Sequence, residues 1–112
     1  VLLEKLRAQR AAAGLEAGLA YIEVRKNDAL LRAARGSLEA ARSWMMVSQD
    51  NWDMGLGEPF RLLRAYQAYF ALKGAEIGRE NAFNVSAAKL AHAIGTLDLY
   101  LRWVGEGKVS LE

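Results

Sequence analysis

The chain contains no cysteine, a single proline and a single histidine among its 112 residues. Without cysteine there can be no disulfide and no thiolate metal ligand, and cysteine usage leaves the redox compartment open. One proline, Pro59 at mid-chain, excludes a collagen-like chain and a proline-rich linker. Scarce β-branched residues and turn signals disfavour an all-β domain, which needs both. A surplus of one charge is missing as well. Fifteen Lys and Arg stand against 13 Asp and Glu, interleaved, for a net charge of +2. So even a balance lacks the basic patch of a nucleic-acid binder. Long hydrophobic runs are absent: the longest apolar-rich uncharged stretch, Ala65 to Leu72, has eight residues. A membrane-spanning helix needs about 18. The first residues, Val1-Leu2-Leu3-Glu4-Lys5, have no signal-peptide layout. Two expectations remain, a cytosolic chain or a fragment of a larger one. The final Leu111-Glu112 pair has the form of a cloning scar, which favours the fragment.

What is present is helix-forming. Twenty alanines and 17 leucines make up a third of the chain. Alanine loses no side-chain entropy in a helix, and leucine loses little. Hydrophobic residues at 53% and charged residues at 25% fit one globular domain rather than a disordered chain.

Stepping alternately by three and four from Leu3 gives Leu6, Arg10, Ala13, Ala17, Ala20, Val24, Asn27, Leu31, Ala34, Leu38, Ala41, Met45, Ser48 and Trp52. Twelve of these fifteen positions are apolar. A stripe of that period predicts a long helix in a coiled-coil pairing, over about residues 3–53. At 1.5 Å per residue it would run roughly 75 Å. Met54-Gly55-Leu56-Gly57-Glu58-Pro59 then breaks the pattern. Gly55 suits a helix C-terminus and Pro59 the first turn of the next helix. The segment 54–58 is expected to be a tight turn between antiparallel helices.

The second helix is expected over about 59–94, ending at Gly95. Leu62, Leu63, Tyr66, Phe70, Ile77, Asn84, Ala87, Ala91 and Ile94 mark one side, widened by Ala65, Tyr69, Leu72, Phe83 and Leu90. The stripe Leu31, Leu38, Met45, Trp52 is expected to face Leu63, Phe70 and Ile77. The hairpin domain is thus 1–95, with a tail over 96–112 whose alternating apolar residues fit a strand or a short helix equally well. The predicted fold class is all-α, a long antiparallel helical hairpin of coiled-coil type packing with other copies into a bundle. An apolar arc this broad exceeds what one partner helix covers, so the chain is expected to associate. Gly14 with Gly18 and Gly74 with Gly78 point to close approach of neighbouring helix backbones, or to simple tolerance of glycine in long helices.

No catalytic, cofactor or metal site is read from the residues. His92 has no second histidine and no cysteine, and metal centres need three or four converging ligands. It is expected to serve on the surface or in packing. Glu76 and Glu80 read as a solvated acidic face, and no Glu-x-x-His motif accompanies them. The serines lie in no nucleophile elbow, and Gly55-Leu56-Gly57 lacks the rest of a phosphate loop. An enzyme is not expected.

Several blocks resemble the TolC-type outer-membrane efflux proteins. Asn51-Trp52-Asp53-Met54-Gly55-Leu56 is similar to the aromatic–x–x–Gly–Leu segment that closes a descending helix in that family. Leu62-Leu63-Arg64-Ala65-Tyr66-Gln67-Ala68 resembles the start of the ascending helix. Ala87-Ala88-Lys89-Leu90-Ala91-His92-Ala93-Ile94-Gly95-Thr96-Leu97 is similar to its close, and Ala20-Tyr21-Ile22-Glu23-Val24 to a block of the helix leading down. The match covers about residues 15–97 in the family's order.

The resemblance implies a trimer in the parent protein, with hairpins walling a periplasmic tunnel and strands forming an outer-membrane barrel. Its tip would contact a periplasmic adaptor protein beside an inner-membrane pump. This chain would be the second periplasmic hairpin, a soluble fragment forming dimers or higher oligomers by itself. Met54, Gly55, Leu56, Gly57 and Phe60 would be the partner-binding tip, unless Leu56 merely staples the turn. Arg61 and Arg64 would line the pore entrance, unless they point outward to acids such as Asp50 or Asp53 of a neighbouring copy. The Glu58-Pro59 pair departs from the family's usual small polar and hydrophobic residues there. The alternative to an efflux hairpin is a free-standing helical scaffold or adaptor-type hairpin forming a four-helix bundle.

Overall fold

The computed structural model of the chain describes residues 1–105. It contains two helices, α1 over Leu2–Asp53 and α2 over Pro59–Gly105, with no strand among the described residues. The fold is an all-α helical hairpin. Helix α1 is unbroken through Gly14, Gly18 and Gly36. Helix α2 runs past Gly95, where the sequence predicted its end. A lone glycine costs a helix only about 1 kcal/mol. Past Gly95 the seam continues at Leu97, which is half-buried. The terminal residues 106–112, with the expected cloning scar, lie outside the described residues.

The turn follows from its two breakers. Gly55 has φ of 75°, a left-handed conformation that only glycine adopts without strain. Its N–H donates to the Trp52 carbonyl at 2.9 Å, and the Leu56 N–H donates to the Asn51 carbonyl at 2.8 Å. That pair of bonds is the Schellman closure of a helix, with glycine at the residue after the cap. The Glu58 carbonyl accepts from the N–H of Arg61 and Leu62, and Pro59 opens α2 where its missing N–H leaves no gap. Gly57 is held tightly: a Cβ there would lie 3.2 Å from the backbone nitrogen of Trp52.

Contacts divide the chain into two compact units, Val1–Lys26 with the chain from Asn84 onward, and Asn27–Phe83. In the second, Gln49 meets Tyr66 and Arg35 meets Glu76, so rising numbers on α1 pair with falling numbers on α2, as antiparallel helices require. The predicted α1 stripe is the seam: Leu31, Ala41 and Ser48 are buried, and Ala34, Leu38 and Met45 half-buried. Trp52, the last of the stripe, is exposed.

The expected facing of Leu63, Phe70 and Ile77 toward α1 is overturned, whereas Leu62, Ala65, Tyr69, Leu72, Phe83 and Leu90 of the predicted side are buried or half-buried. Leu63, Phe70 and Ile77 are 52%, 64% and 48% exposed. The seam is instead Leu62, Ala65, Tyr69, Leu72 and Glu76, again at alternating steps of three and four. Ala65 is fully buried. Both phases carry apolar residues, and the narrow gap between two helices selects the one supplying alanine, because small side chains let backbones approach. Phe70 stays outside while Tyr69 is half-buried in the seam.

In the first unit the α1 seam continues through Leu3, Leu6, Ala13, Ala17, Ala20 and Val24, all buried or half-buried, with Arg10 exposed. On α2 it uses Ser86, Leu90, Ala93 and Leu97. Across the described residues the buried apolar side chains are Ala13, Leu31, Ala41, Ala65 and Ala93, and no large side chain is fully buried. The glycines at 14, 18, 74 and 78 face open space: an added Cβ meets nothing within 4 Å. They make no close approach within this chain.

Candidate functional site

The turn presents a cluster of exposed apolar groups. Met54, Leu56 and Phe60 are 64%, 76% and 73% exposed. Leu56 follows Gly55 at the Schellman position that often packs back on the helix, but Asn51, the residue it would meet there, is polar. The turn is braced from behind by one polar relay. Tyr66 on α2 donates its hydroxyl to Gln49 Oε1 at 2.7 Å, and Gln49 Nε2 donates to Asp53 Oδ1 at 3.0 Å. Both helix ends are therefore tied together just before the apolar tip.

Arg61 and Arg64 are exposed and three residues apart, so they share a side of α2. Neither has a carboxylate within 4 Å among the described residues. Asp50 and Asp53 lie exposed at the end of α1.

Glu76 departs from the solvated face expected of it. It is 7% exposed and sits at a seam position. Lys73 Nζ bonds its Oε2 at 3.3 Å, and Arg35 Nε, from α1, stands 3.7 Å from its Oε1. Glu80, one turn on, is exposed as expected. A buried carboxylate is tolerated when cations compensate its desolvation, and here one cation comes from each helix. The signal for it was available: Leu62, Tyr69, Glu76, Phe83 and Leu90 repeat every seven residues.

His92 is exposed and lines a groove of about 820 Å³ in the first unit, between residues 12–20 of α1 and 85–93 of α2. The groove is mostly apolar, with Glu16, Lys89 and His92 as its ionisable members. Among the described residues no group of three or more His, Cys, Asp or Glu could hold a metal ion. No described helix is long and apolar enough to cross a membrane. Compared with family models, curated proteins and solved structures, the chain matches none.

Proposed function

We propose that this hairpin is an assembly element, a wall segment of a TolC-type efflux duct whose exposed apolar surface is covered by neighbouring hairpins. The observation that carries the reading is the surplus of apolar groups outside the seam. In the second unit Phe70, Ile77 and Leu63 stand out on α2 and Val47 on α1; in the first, Leu15, Leu19 and Ile22 stand out on α1 and Val85 on α2. Contiguous exposed apolar surface of more than a few hundred Å² is rare on monomers and marks association. A hairpin in a closed helical wall has neighbours on two sides and needs such residues on both helices.

In this reading the tip at Met54, Leu56 and Phe60 docks a periplasmic adaptor protein, and Arg61 and Arg64 form a basic ring at the entrance of a trimeric pore. Rings of arginine favour anions. The complete protein in an outer-membrane reconstitution tests both parts. Leu56→Asp should abolish export and leave trimers intact. Arg61→Ala with Arg64→Ala should shift single-channel selectivity toward cations. Export unchanged by Leu56→Asp would remove the tip from the mechanism, and an unaltered ion preference would remove the ring.

A further inference from the structure

The groove of the first unit has a chemistry of its own. Ala12, Leu19 and Ala20 from α1 and Val85, Ala88 and Ala93 from α2 give it a shallow apolar floor. Each wall carries charge of a different sign. Glu16 is the acid on the α1 wall, while Lys89 stands on the α2 wall with His92 one turn further on. All three are exposed. Glu16 and Lys89 share the groove but do not meet: neither has an ion-pair partner within 4 Å among the described residues. The next acid on that side of α1, Glu23, is already paired with Lys26 at 3.6 Å.

We infer that this groove seats a second copy of the chain, face to face about a two-fold axis parallel to the helices, so that Glu16 meets the partner's Lys89. The charge layout selects both the occupant and the orientation. A face with an acid on one helix and a base at the same level on the other is complementary to itself. A two-fold axis along the helices lays α1 over the partner's α2 and forms the Glu16–Lys89 pair twice. A two-fold axis across the helices would lay α1 over α1 and oppose Glu16 to Glu16 and Lys89 to Lys89, which like-charge repulsion disfavours. The parallel arrangement also makes every neighbouring helix antiparallel, the pattern of an up-and-down four-helix bundle. The alanines of the floor allow helices to come close, and Leu19 and Val85 supply the larger knobs. This goes beyond the duct reading, because the isolated hairpin's two-fold pairing is a separate association from the three-fold arrangement of a trimeric duct.

Charge reversal tests the seat through its reciprocity. Glu16→Lys places lysine against lysine at both contacts of a dimer, and Lys89→Glu places acid against acid. Each variant alone should raise the dimer dissociation constant about fivefold to thirtyfold at low salt, the range for reversing two exposed ion pairs. An equimolar mixture of the two variants restores both contacts. At one, the introduced lysine of the first variant faces the introduced glutamate of the second; at the other, the native Lys89 of the first faces the native Glu16 of the second. Sedimentation equilibrium should therefore return the mixture to wild-type affinity. If folding depends on pairing, the single variants lose helical circular dichroism with the dimer, and the mixture regains both. A mixture no tighter than its components overturns the seat. A wild-type dimer indifferent to either reversal overturns the seat but not self-association, whereas a wild-type monomer overturns the seat and the expected self-association of the hairpin.

Discussion

Glycine at 55 and glycine at 14 have the same side chain and opposite roles. Gly55 holds φ at 75°, where an alanine Cβ would crowd the next carbonyl. Gly55→Ala should therefore lower stability by about 1 kcal/mol or more, read from the midpoint of urea unfolding. Gly14 lies inside α1, and a Cβ there meets nothing within 4 Å. Gly14→Ala should raise stability by roughly 0.5 to 1 kcal/mol. If Gly14 instead marks a contact between copies, the same substitution should weaken self-association in sedimentation while stabilising the helix. Glu76 gives a third residue-scale expectation. Its neighbours on the seam, Leu72 and Phe83, are half-buried apolar groups, while Arg35 and Lys73 reach water without it. Glu76→Leu should be neutral or stabilising in denaturant unfolding, because a hydrophobic replacement removes the desolvation cost. A loss of more than about 2 kcal/mol would show that the buried ion pairs stabilise the fold outright.

At the scale of the element, the sequence made α1 legible almost residue by residue. The three–four stripe from Leu3 to Ser48 is the buried seam, with only Arg10 and the trailing Trp52 outside. The turn was legible for the same reason that it forms: Gly55 reaches a positive φ that other residues avoid, Pro59 has its φ fixed, and each occupies the position that suits it. Helix α2 was legible as a helix but not in its phase. Apolar residues sit at Leu63, Phe70 and Ile77 and also at Leu62, Tyr69 and Leu72. Hydrophobicity alone does not choose between two such stripes; the volume available between backbones does, and it favours the stripe with Ala65 and Ala93. Gly95 misled because a single glycine is weaker than the packing of the turn after it. The candidate tip was legible as a motif, but the Gln49 relay behind it was not, since a 2.7 Å bond over 17 residues leaves no local pattern. The phase correction has a direct test. Leu31 is 4% exposed, so Leu31→Ala should cost about 2 to 4 kcal/mol in urea unfolding. Phe70→Ala should cost the isolated hairpin less than about 0.5 kcal/mol, as surface substitutions do. Equal losses would return Phe70 to the seam.

For the whole molecule, the decisive quantity is how little its interior holds. Among the described residues four of the five buried apolar ones are alanines, and burying an alanine contributes far less than burying a leucine or phenylalanine. Stability drawn from neighbours then depends on concentration. The unfolding temperature should rise with protein concentration across the micromolar range, by the mass-action term that any self-associating fold obeys. A melting temperature flat over a hundredfold dilution would mean that the seam alone sustains the fold.

The turn also sets an order of events. Gln49 and Tyr66 are separated by a short loop, whereas residues near the chain start must find α2 across most of the sequence, and closing a longer loop costs more entropy. Folding should therefore begin beside Gly55 and close like a zip toward the termini, and the native chain should fray in the reverse sense. Amide hydrogen exchange should be slowest in the helix turns flanking the Gln49–Tyr66 bond and faster with each turn toward Leu2. The same order carries a biosynthetic meaning. During synthesis α1 is complete before α2, and only translation of the residues beyond Pro59 supplies the cover for its seam.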